Sequence, residues 1–105
     1  MGKTKQIQNL DGSVISTARL DAWLYRTRLV KTRTAATAII SSGKIRITKN
    51  GRTKRIKKPS TLINSGDQVS FVHCNRLIQV EMVASPTRRV SAIKAKSLYR
   101  DHYSS

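Results

Sequence analysis

The order of periodic segments in this 105-residue chain predicts an α+β fold, with two packed N-terminal helices, a small and mainly antiparallel sheet of about four strands, and a C-terminal helix. Apolar residues first recur every three or four positions, then alternate with polar ones, and return to the helical spacing after Pro86. The first period is that of an amphipathic helix and the second that of a half-buried strand. Helices followed by a run of strands are typical of the α+β class.

The first helix is predicted to run from Thr17, which can cap its N-terminus, to about Val30. Leu20 and Trp23 belong to its apolar stripe and are expected to lie in the core. Asp21 lies in the first turn, where the helix dipole favours a negative charge. We therefore expect this carboxylate to order the helix start or to pair with a neighbouring arginine.

A second helix is predicted to begin after Thr32 and to stop at Gly43. The Thr32 hydroxyl can accept a hydrogen bond from the first turn, and glycine suits the left-handed conformation that ends many helices. Ala36 and Ile40 would face the core from this helix. The connection between the two helices is therefore predicted to be short.

Strands are predicted to follow the helices. In residues 44–48, Ile45 and Ile47 fall on one face and basic residues on the other, which indicates a half-buried strand with a basic outer face. Asn50–Gly51 supplies a tight turn, and residues 52–58 form a very basic second strand or loop.

A second hairpin and a last helix complete the predicted fold. Residues 68–74 and 77–83 have the composition of strands and are separated by Asn75–Arg76, which indicates a hairpin. Residues 92–99 carry an apolar stripe with helical spacing.

These elements divide the chain into three predicted parts. Residues 1–16 show no sustained period and are expected to form a flexible N-terminal arm. Residues 17–86 form the folded domain. Residues 87–105 form a basic C-terminal segment with a short helix.

Charge is the strongest functional signal in the sequence. The chain has 21 Lys and Arg against 5 Asp and Glu, a formal charge of +16 and a pI near 11.3. No acidic residue lies between Asp21 and Asp67, whereas basic residues are frequent there. They are Arg26, Arg28, Lys31, Arg33, Lys44, Arg46, Lys49, Arg52, Lys54, Arg55, Lys57 and Lys58. Because a one-signed surface repels itself, it is usually kept for a strongly anionic partner, and nucleic acid is the leading candidate.

Catalysis and metal binding are disfavoured. The sequence offers no general base with an oriented partner and no glycine loop that would cradle phosphates, so we expect neither an enzyme nor a cofactor. His73 and Cys74 are neighbours in a predicted strand and would point to opposite faces. His102 alone cannot complete a structural zinc site with them, so no metal is expected.

The expected location is the cytoplasm. Cys74 is the single cysteine, so no internal disulfide is possible and a reducing compartment fits. Met1–Leu10 lacks the apolar stretch of a secretory signal, and no segment approaches a membrane span. A membrane-surface role is disfavoured because the short apolar stripes are expected to be used by the core.

Four short motifs in a fixed order resemble the S4-type RNA-binding domain, over roughly residues 18–71. They are Arg19–Asp21 at the first helix, Lys31–Arg33 at the second, Gly43–Ile47 before a strand, and Gly66–Asp67 before the next strand. Within that superfamily the chain is most similar to the stand-alone bacterial heat-shock protein 15 group, because of Trp23 and the tail over residues 88–101.

The resemblance implies an S4-like (αL) fold and binding to structured RNA. It implies association with large-subunit ribosomal RNA and the ribosomal large subunit, particularly on free subunits that still carry a nascent chain on transfer RNA. We expect a monomer with no small-molecule substrate and no membrane partner. The chain departs from the family pattern in its first hairpin, where Thr48–Lys49 precedes the turn and residues 52–58 are longer and more basic.

The candidate site is centred on the two helix starts. There the guanidinium groups of Arg19 and Arg33 would lie beside exposed backbone N–H donors, which receive phosphate well. Lys31 would join them from the connecting turn, and the basic strands would extend the surface. The candidate RNA-binding residues are Arg19, Arg26, Lys31, Arg33, Lys44, Arg46, Arg52, Lys54 and Arg55.

Readout by backbone shape is expected, because aromatic residues are only 5% of the chain and base stacking on a sheet needs several exposed rings. Two alternatives remain open. One is a basic structural or assembly protein of the ribosome, and the other is a DNA-binding architectural protein.

Overall fold

The structure of the chain is a computed structural model that describes residues 14–102. Residues 1–13 of the predicted N-terminal arm, and residues 103–105, lie outside the described residues. In chain order the elements are β1 (Val14–Ile15), β2 (Thr17–Arg19), α1 (Leu20–Arg26), α2 (Arg33–Ser41), β3 (Ile45–Lys49), β4 (Arg52–Ile56), β5 (Leu62–Asn64), β6 (Gln68–His73), β7 (Arg76–Met82), β8 (Ser85–Pro86), α3 (Ala92–Ala95) and β9 (Tyr99–Asp101).

The main sheet has five strands in the order β4-β3-β6-β7-β9, and every neighbouring pair is antiparallel. Two small two-stranded sheets, β1 with β8 and β2 with β5, lie beside it. The predicted α+β fold with a mainly antiparallel sheet is therefore confirmed. The fifth strand, β9, was not anticipated.

Helices α1 and α2 pack on one face of the main sheet. Trp23, Leu24 and Ile40 from the helices are fully buried together with Ile45 and Val69 from the sheet. Trp23 also donates a hydrogen bond from Nε1 to the Ala84 carbonyl at 2.9 Å. The prediction that Trp23 belongs to the core is confirmed.

The predicted start and end of the first helix are wrong. Thr17–Arg19 is a strand that pairs with Leu62–Asn64, so α1 begins at Leu20. The helix ends at Arg26, because Arg28 adopts a left-handed conformation with φ of 63° and turns the chain. Val30 lies beyond this turn and still reaches the core.

The second helix and the first hairpin agree with prediction. Thr32 caps α2, since its Oγ1 accepts a hydrogen bond from the Ala35 N–H at 3.0 Å. Gly43 follows the helix with φ of 78°. Asn50 and Gly51 both have positive φ, 51° and 79°, which is the geometry that a two-residue hairpin turn requires. Residues 52–56 form strand β4, so Thr48 and Lys49 lengthen a regular hairpin.

The second hairpin turns one residue earlier than predicted, at Cys74 and Asn75, which both have positive φ. The predicted C-terminal helix over residues 92–99 is correct only for Ala92–Ala95. Tyr99 belongs instead to β9, where it pairs with Met82 of β7. None of the helices in the described part of the chain is long and apolar enough to cross a membrane.

Candidate nucleic-acid interface

Asp21 organises the start of the helix pair. Its carboxylate, 4% exposed, accepts two hydrogen bonds from Arg19, Nε to Oδ1 at 3.1 Å and Nη2 to Oδ2 at 3.0 Å. The Nη2 of Arg33, the first residue of α2, lies 3.6 Å from Oδ1 of the same carboxylate. The predicted pairing of Asp21 with a neighbouring arginine is confirmed, and it brings the two predicted site arginines together.

Both arginines remain accessible despite this pairing. Their side chains are 50% and 47% exposed, and two positive charges share one negative charge. The carboxylate therefore fixes the orientation of the guanidinium groups and leaves a net positive surface. Lys31, which precedes α2 by two residues, is exposed beside them in sequence.

The predicted role of open N–H donors at the start of α1 is wrong. The N–H groups of Leu20 and Asp21 donate to the carbonyls of Thr61 and Pro59 at 2.8 and 3.2 Å. The N–H of Ala22 donates to Asp21 Oδ1 at 2.7 Å. Because these three donors are occupied, an anion near Arg19 would be held by side chains.

Arg26 has a structural role at the other end of α1. It donates to the Pro86 carbonyl at 3.4 Å, and Arg28 donates to the Val90 carbonyl at 2.7 Å. Arg89 donates to the Tyr25 carbonyl at 3.1 Å, and its guanidinium lies 4.8 Å from the Tyr25 ring centroid. These contacts hold the C-terminal segment against the helix, and they place Arg26 apart from the Asp21 cluster.

Strand β4 divides the basic hairpin between the two faces of the sheet. Ile56 pairs with buried Ile45, so Arg52 and Lys54, which alternate with it, point to the helix side. Arg55 points the opposite way. The predicted continuous track over the hairpin is therefore wrong, because its members lie on two faces.

On the helix side, β3 and β4 line a groove of about 520 Å³. Its lining residues are Ile47, Lys49, Asn50, Arg52, Lys54, Ile56 and Thr61. The Thr61 carbonyl accepts the Leu20 N–H, so the groove lies next to the start of α1. We call Arg19, Lys31, Arg33, Arg52 and Lys54 together the helix-side surface.

The other face of the hairpin carries a second group of cations. Arg46 of β3 lies directly opposite Arg55 of β4. The side chains of Arg55 and Lys57 run over Gly43, with Arg55 Cδ and Lys57 Cε 3.5 and 3.1 Å from where a Cβ on that glycine would lie. Lys44 follows Gly43 and is exposed. We call Lys44, Arg46, Arg55 and Lys57 the outer-face cluster.

Acidic groups approach the two surfaces differently. Lys49, at the end of β3, forms an ion pair with the buried Asp67. On the outer face, Glu81 lies at the far edge of the sheet, where it contacts Arg100 at 3.4 Å and His102 at 3.0 Å. Within residues 14–102 no carboxylate contacts the outer-face cluster.

Two contributors were not among the predicted site residues. Lys57 belongs to the basic run over residues 52–58, and that run was the available signal for it. Arg89 lies close to the site through its donation to the Lys31 carbonyl at 3.4 Å. That contact joins residues 58 positions apart, and no local sequence pattern indicates it.

The comparisons with known proteins agree with this fold. The S4 domain family model matches residues 18–69, which include β2, both helices and the basic hairpin. An S4 domain is therefore the class of module that the helix pair and hairpin define, and the chain belongs to the S4-domain proteins.

Within that class the chain is close to the heat shock protein 15 family. It is 31% identical over 87 residues to the heat shock protein 15 homolog of Haemophilus influenzae, covering 83% of this chain and 63% of that protein. It is 29% identical to the Vibrio cholerae heat shock protein 15, solved as a trimer, with a TM-score of 0.70 and 81% of each chain covered.

The S4 module is also similar to part of a ribosomal protein. The chain is 36% identical over 67 residues to the small ribosomal subunit protein uS4 of Methylorubrum populi, covering 64% of this chain and 31% of that protein. The matches thus span less than two thirds of the length of these two curated relatives.

Proposed function

We propose that this chain is a non-catalytic protein that binds folded ribosomal RNA through its helix-side surface. The observation that carries the proposal is the pair of half-exposed arginines, Arg19 and Arg33, held side by side on the Asp21 carboxylate. Similarity to an S4 module, to heat shock protein 15 and to a ribosomal protein supports RNA of the ribosome as the partner.

The chemistry of the cluster suits a phosphate oxygen. Arg19 uses two of its five N–H donors on Asp21, so the other three can donate to an anion. Holding the guanidinium in place before binding lowers the conformational entropy lost when RNA binds. Arg52 and Lys54, on the same side of the sheet, would bind neighbouring phosphates along the backbone.

The expected readout is the shape of the RNA backbone. Trp23 and Phe71 are buried, and the Tyr25 ring is covered by Arg89, so these rings are not presented to bases. A-form duplex RNA displays phosphates and 2′-hydroxyls across a wide minor groove, which a basic helix pair can contact without reading base edges.

The finer proposal concerns the particle. Similarity to heat shock protein 15 supports large-subunit ribosomal RNA as the target, on subunits that retain a nascent chain on transfer RNA, in the cytoplasm. We propose that the chain acts as a monomer, whereas the Vibrio cholerae protein was solved as a trimer. Sedimentation of the purified chain, alone and with large subunits, distinguishes the two states and tests the target.

Replacing Arg33 with alanine tests the helix-side surface. If five to seven phosphates are neutralised, log affinity falls against log salt with a slope of about 4–6, since each contact contributes about 0.7–0.9. The variant Arg33→Ala should lower this slope by about one contact and weaken binding to a folded ribosomal RNA fragment. Fluorescence anisotropy over a salt series measures both quantities.

Arg100→Ala is the matched control, because it removes one exposed arginine from the far edge strand, where Glu81 already compensates the charge. It should leave affinity and slope unchanged. Arg33→Lys should keep much of the slope but lose affinity, since lysine lacks the planar fork of donors. An unaltered slope in Arg33→Ala, with the fold intact, would rule out this surface.

A second candidate function is a structural or assembly protein of the ribosome, and the 36% identity with uS4 favours it. A structural protein stays bound in stoichiometric amount on mature particles through high-salt washing, whereas a transient factor is released. Competition between duplex DNA and folded RNA for the same protein decides against the DNA-binding alternative if RNA is preferred.

A further inference from the structure

The sheet face opposite the helices carries cations that the packing of the chain does not explain. Arg46 and Arg55 lie directly across from each other on neighbouring strands, and like charges in that position are destabilising. Arg55 and Lys57 lie over Gly43 near the end of α2, where the helix dipole favours positive charge. Arg46 has no such compensation, so its presence points to an external anion.

The neighbours of this cluster are also groups that contact nucleic-acid backbones. Thr48 and Thr53 lie on the same face of the hairpin and share a hydrogen bond of 2.7 Å between their hydroxyl groups. Ser70 lies opposite Arg46, and Gln79 lies opposite Ser70. Hydroxyl, amide and guanidinium donors are the side chains that hydrogen-bond phosphate and sugar oxygens.

The outer face offers no ring on which a base could stack. The register of β3, β4, β6 and β7 places Arg, Thr, Ser, Gln, Glu, Val and Leu there, and Phe71 points to the core instead. Single strands are usually held by stacking on aromatic side chains. The face therefore fits the phosphate backbone of folded RNA.

We propose that the outer-face cluster binds a second segment of RNA backbone, so that one copy of the chain holds two RNA segments on opposite faces of its sheet. This proposal rests on the proposed function, in which the helix-side surface holds the first segment. The chain would then act as a clamp between two helical segments of a folded RNA.

The size of the molecule separates this proposal from a single wrapped RNA. The chain measures 38 × 30 × 29 Å, whereas a DNA duplex resists bending over about 500 Å and an RNA duplex is also stiff on this scale. One duplex therefore cannot follow both faces. Repulsion between two duplexes is weak, because charges are screened over about 8 Å at physiological salt.

A capture experiment tests the second segment. One RNA hairpin of about 16 base pairs, the length that a small duplex-binding module spans, is fixed to beads, and a fluorescent copy is added with the full chain. The wild-type protein should capture the fluorescent hairpin. The double variant Arg46→Ala, Arg55→Ala should bind the fixed hairpin and capture none of the second. Capture equal to wild type by this folded variant overturns the proposal.

Salt dependence provides a second readout. With the helix-side surface disabled by Arg19→Ala, Arg33→Ala, the remaining affinity for one hairpin should keep a salt slope that the outer-face double variant lowers by about 1.4–1.8. Arg100→Ala is the control on the same face, because Glu81 already compensates it, and it should capture like wild type. An unchanged slope in the combined variant contradicts the proposal.

Oligomerisation and failure of the first surface give different results. Bridging by an assembled oligomer would persist in the Arg46→Ala, Arg55→Ala variant and so counts against a second RNA segment. If the Arg19→Ala, Arg33→Ala variant binds the fixed hairpin with wild-type affinity, the helix-side surface is refuted instead. Thermal unfolding confirms that each variant is folded.

Discussion

Two basic regions of this small domain are built in opposite ways. Around Asp21, two arginines share one buried carboxylate, so their charge is part of the structure that joins α1 to α2. Across the sheet, Arg46 faces Arg55, and neither contacts an acidic group among residues 14–102. The first arrangement would stabilise the fold even without a ligand, whereas the second costs stability unless an anion is bound. Charge density alone therefore does not distinguish a structural arginine from a binding one.

Replacing Asp21 with alanine should have the largest effect on stability. The change removes the acceptor of two arginine bonds and of the Ala22 N–H, at a position that is nearly fully buried. Because both arginines are half exposed and can regain water, we expect a loss of about 2–3 kcal/mol rather than the larger cost of breaking a fully buried pair. Urea unfolding measures it.

Glu81→Gln is the control for this comparison, since Glu81 also contacts two cationic side chains but lies at an exposed edge of the sheet. Exposed pairs contribute about 0–1 kcal/mol, so its loss should be small. Equal losses in the two variants would show that Asp21 has no special structural role.

Replacing Arg55 with glutamate should sharpen the difference with an effect of opposite sign. The change places a carboxylate opposite Arg46, so the repulsive pair becomes attractive and stability should rise by about 0.2–1 kcal/mol at low salt. The gain should shrink as salt screens the pair. Thermal unfolding in a salt series measures it, and capture of a second hairpin should be lost in the same variant. A decrease in stability would mean that Arg55 has a structural role after all.

The smallest effect is expected at the edge strand farthest from the basic hairpin. Burial, with a further contribution from nearby Asp101, raises the pKa of Tyr99 above its ordinary value of 10.0. The protonated form is therefore favoured by folding, so this contribution is fully present below pH 10 and is lost as the pH rises through the raised pKa. Wild type should lose stability above pH 10 slightly faster than Tyr99→Phe. Parallel unfolding curves at alkaline pH would contradict this.

Local signals were sufficient to predict the second helix and the first hairpin. A threonine cap at Thr32, a left-handed glycine at Gly43 and strict alternation at Ile45 and Ile47 act within a few residues of one another. The sequence therefore contains all the information that these elements need.

Long-range pairing determined what the sequence could not show. Thr17 continues a helical pattern, but it pairs with Asn64 in a short sheet, so the helix starts three residues later. Tyr99 fits a helical stripe as well as it fits a strand, and its pairing with Met82 selects the strand. In both cases tertiary contacts override the local preference.

The same reasoning applies to the candidate site. The motif order brought Arg19 and Arg33 to neighbouring helix starts correctly, since each follows from an element boundary. The separation of Arg46 from Lys54 depends on whether residues 52–58 form a strand or a loop, and composition alone leaves both open. Once the strand is known, its alternation divides the basic residues between the faces.

The outermost strand, β4, has one further consequence. It borders only β3 in the main sheet, so its outer side is an edge at which strands of two molecules could join. Four of its five residues are polar and three of them are basic, so two such edges would repel each other on approach. The charge that invites a polyanion thus also keeps copies of the chain from stacking into an extended sheet during synthesis and storage.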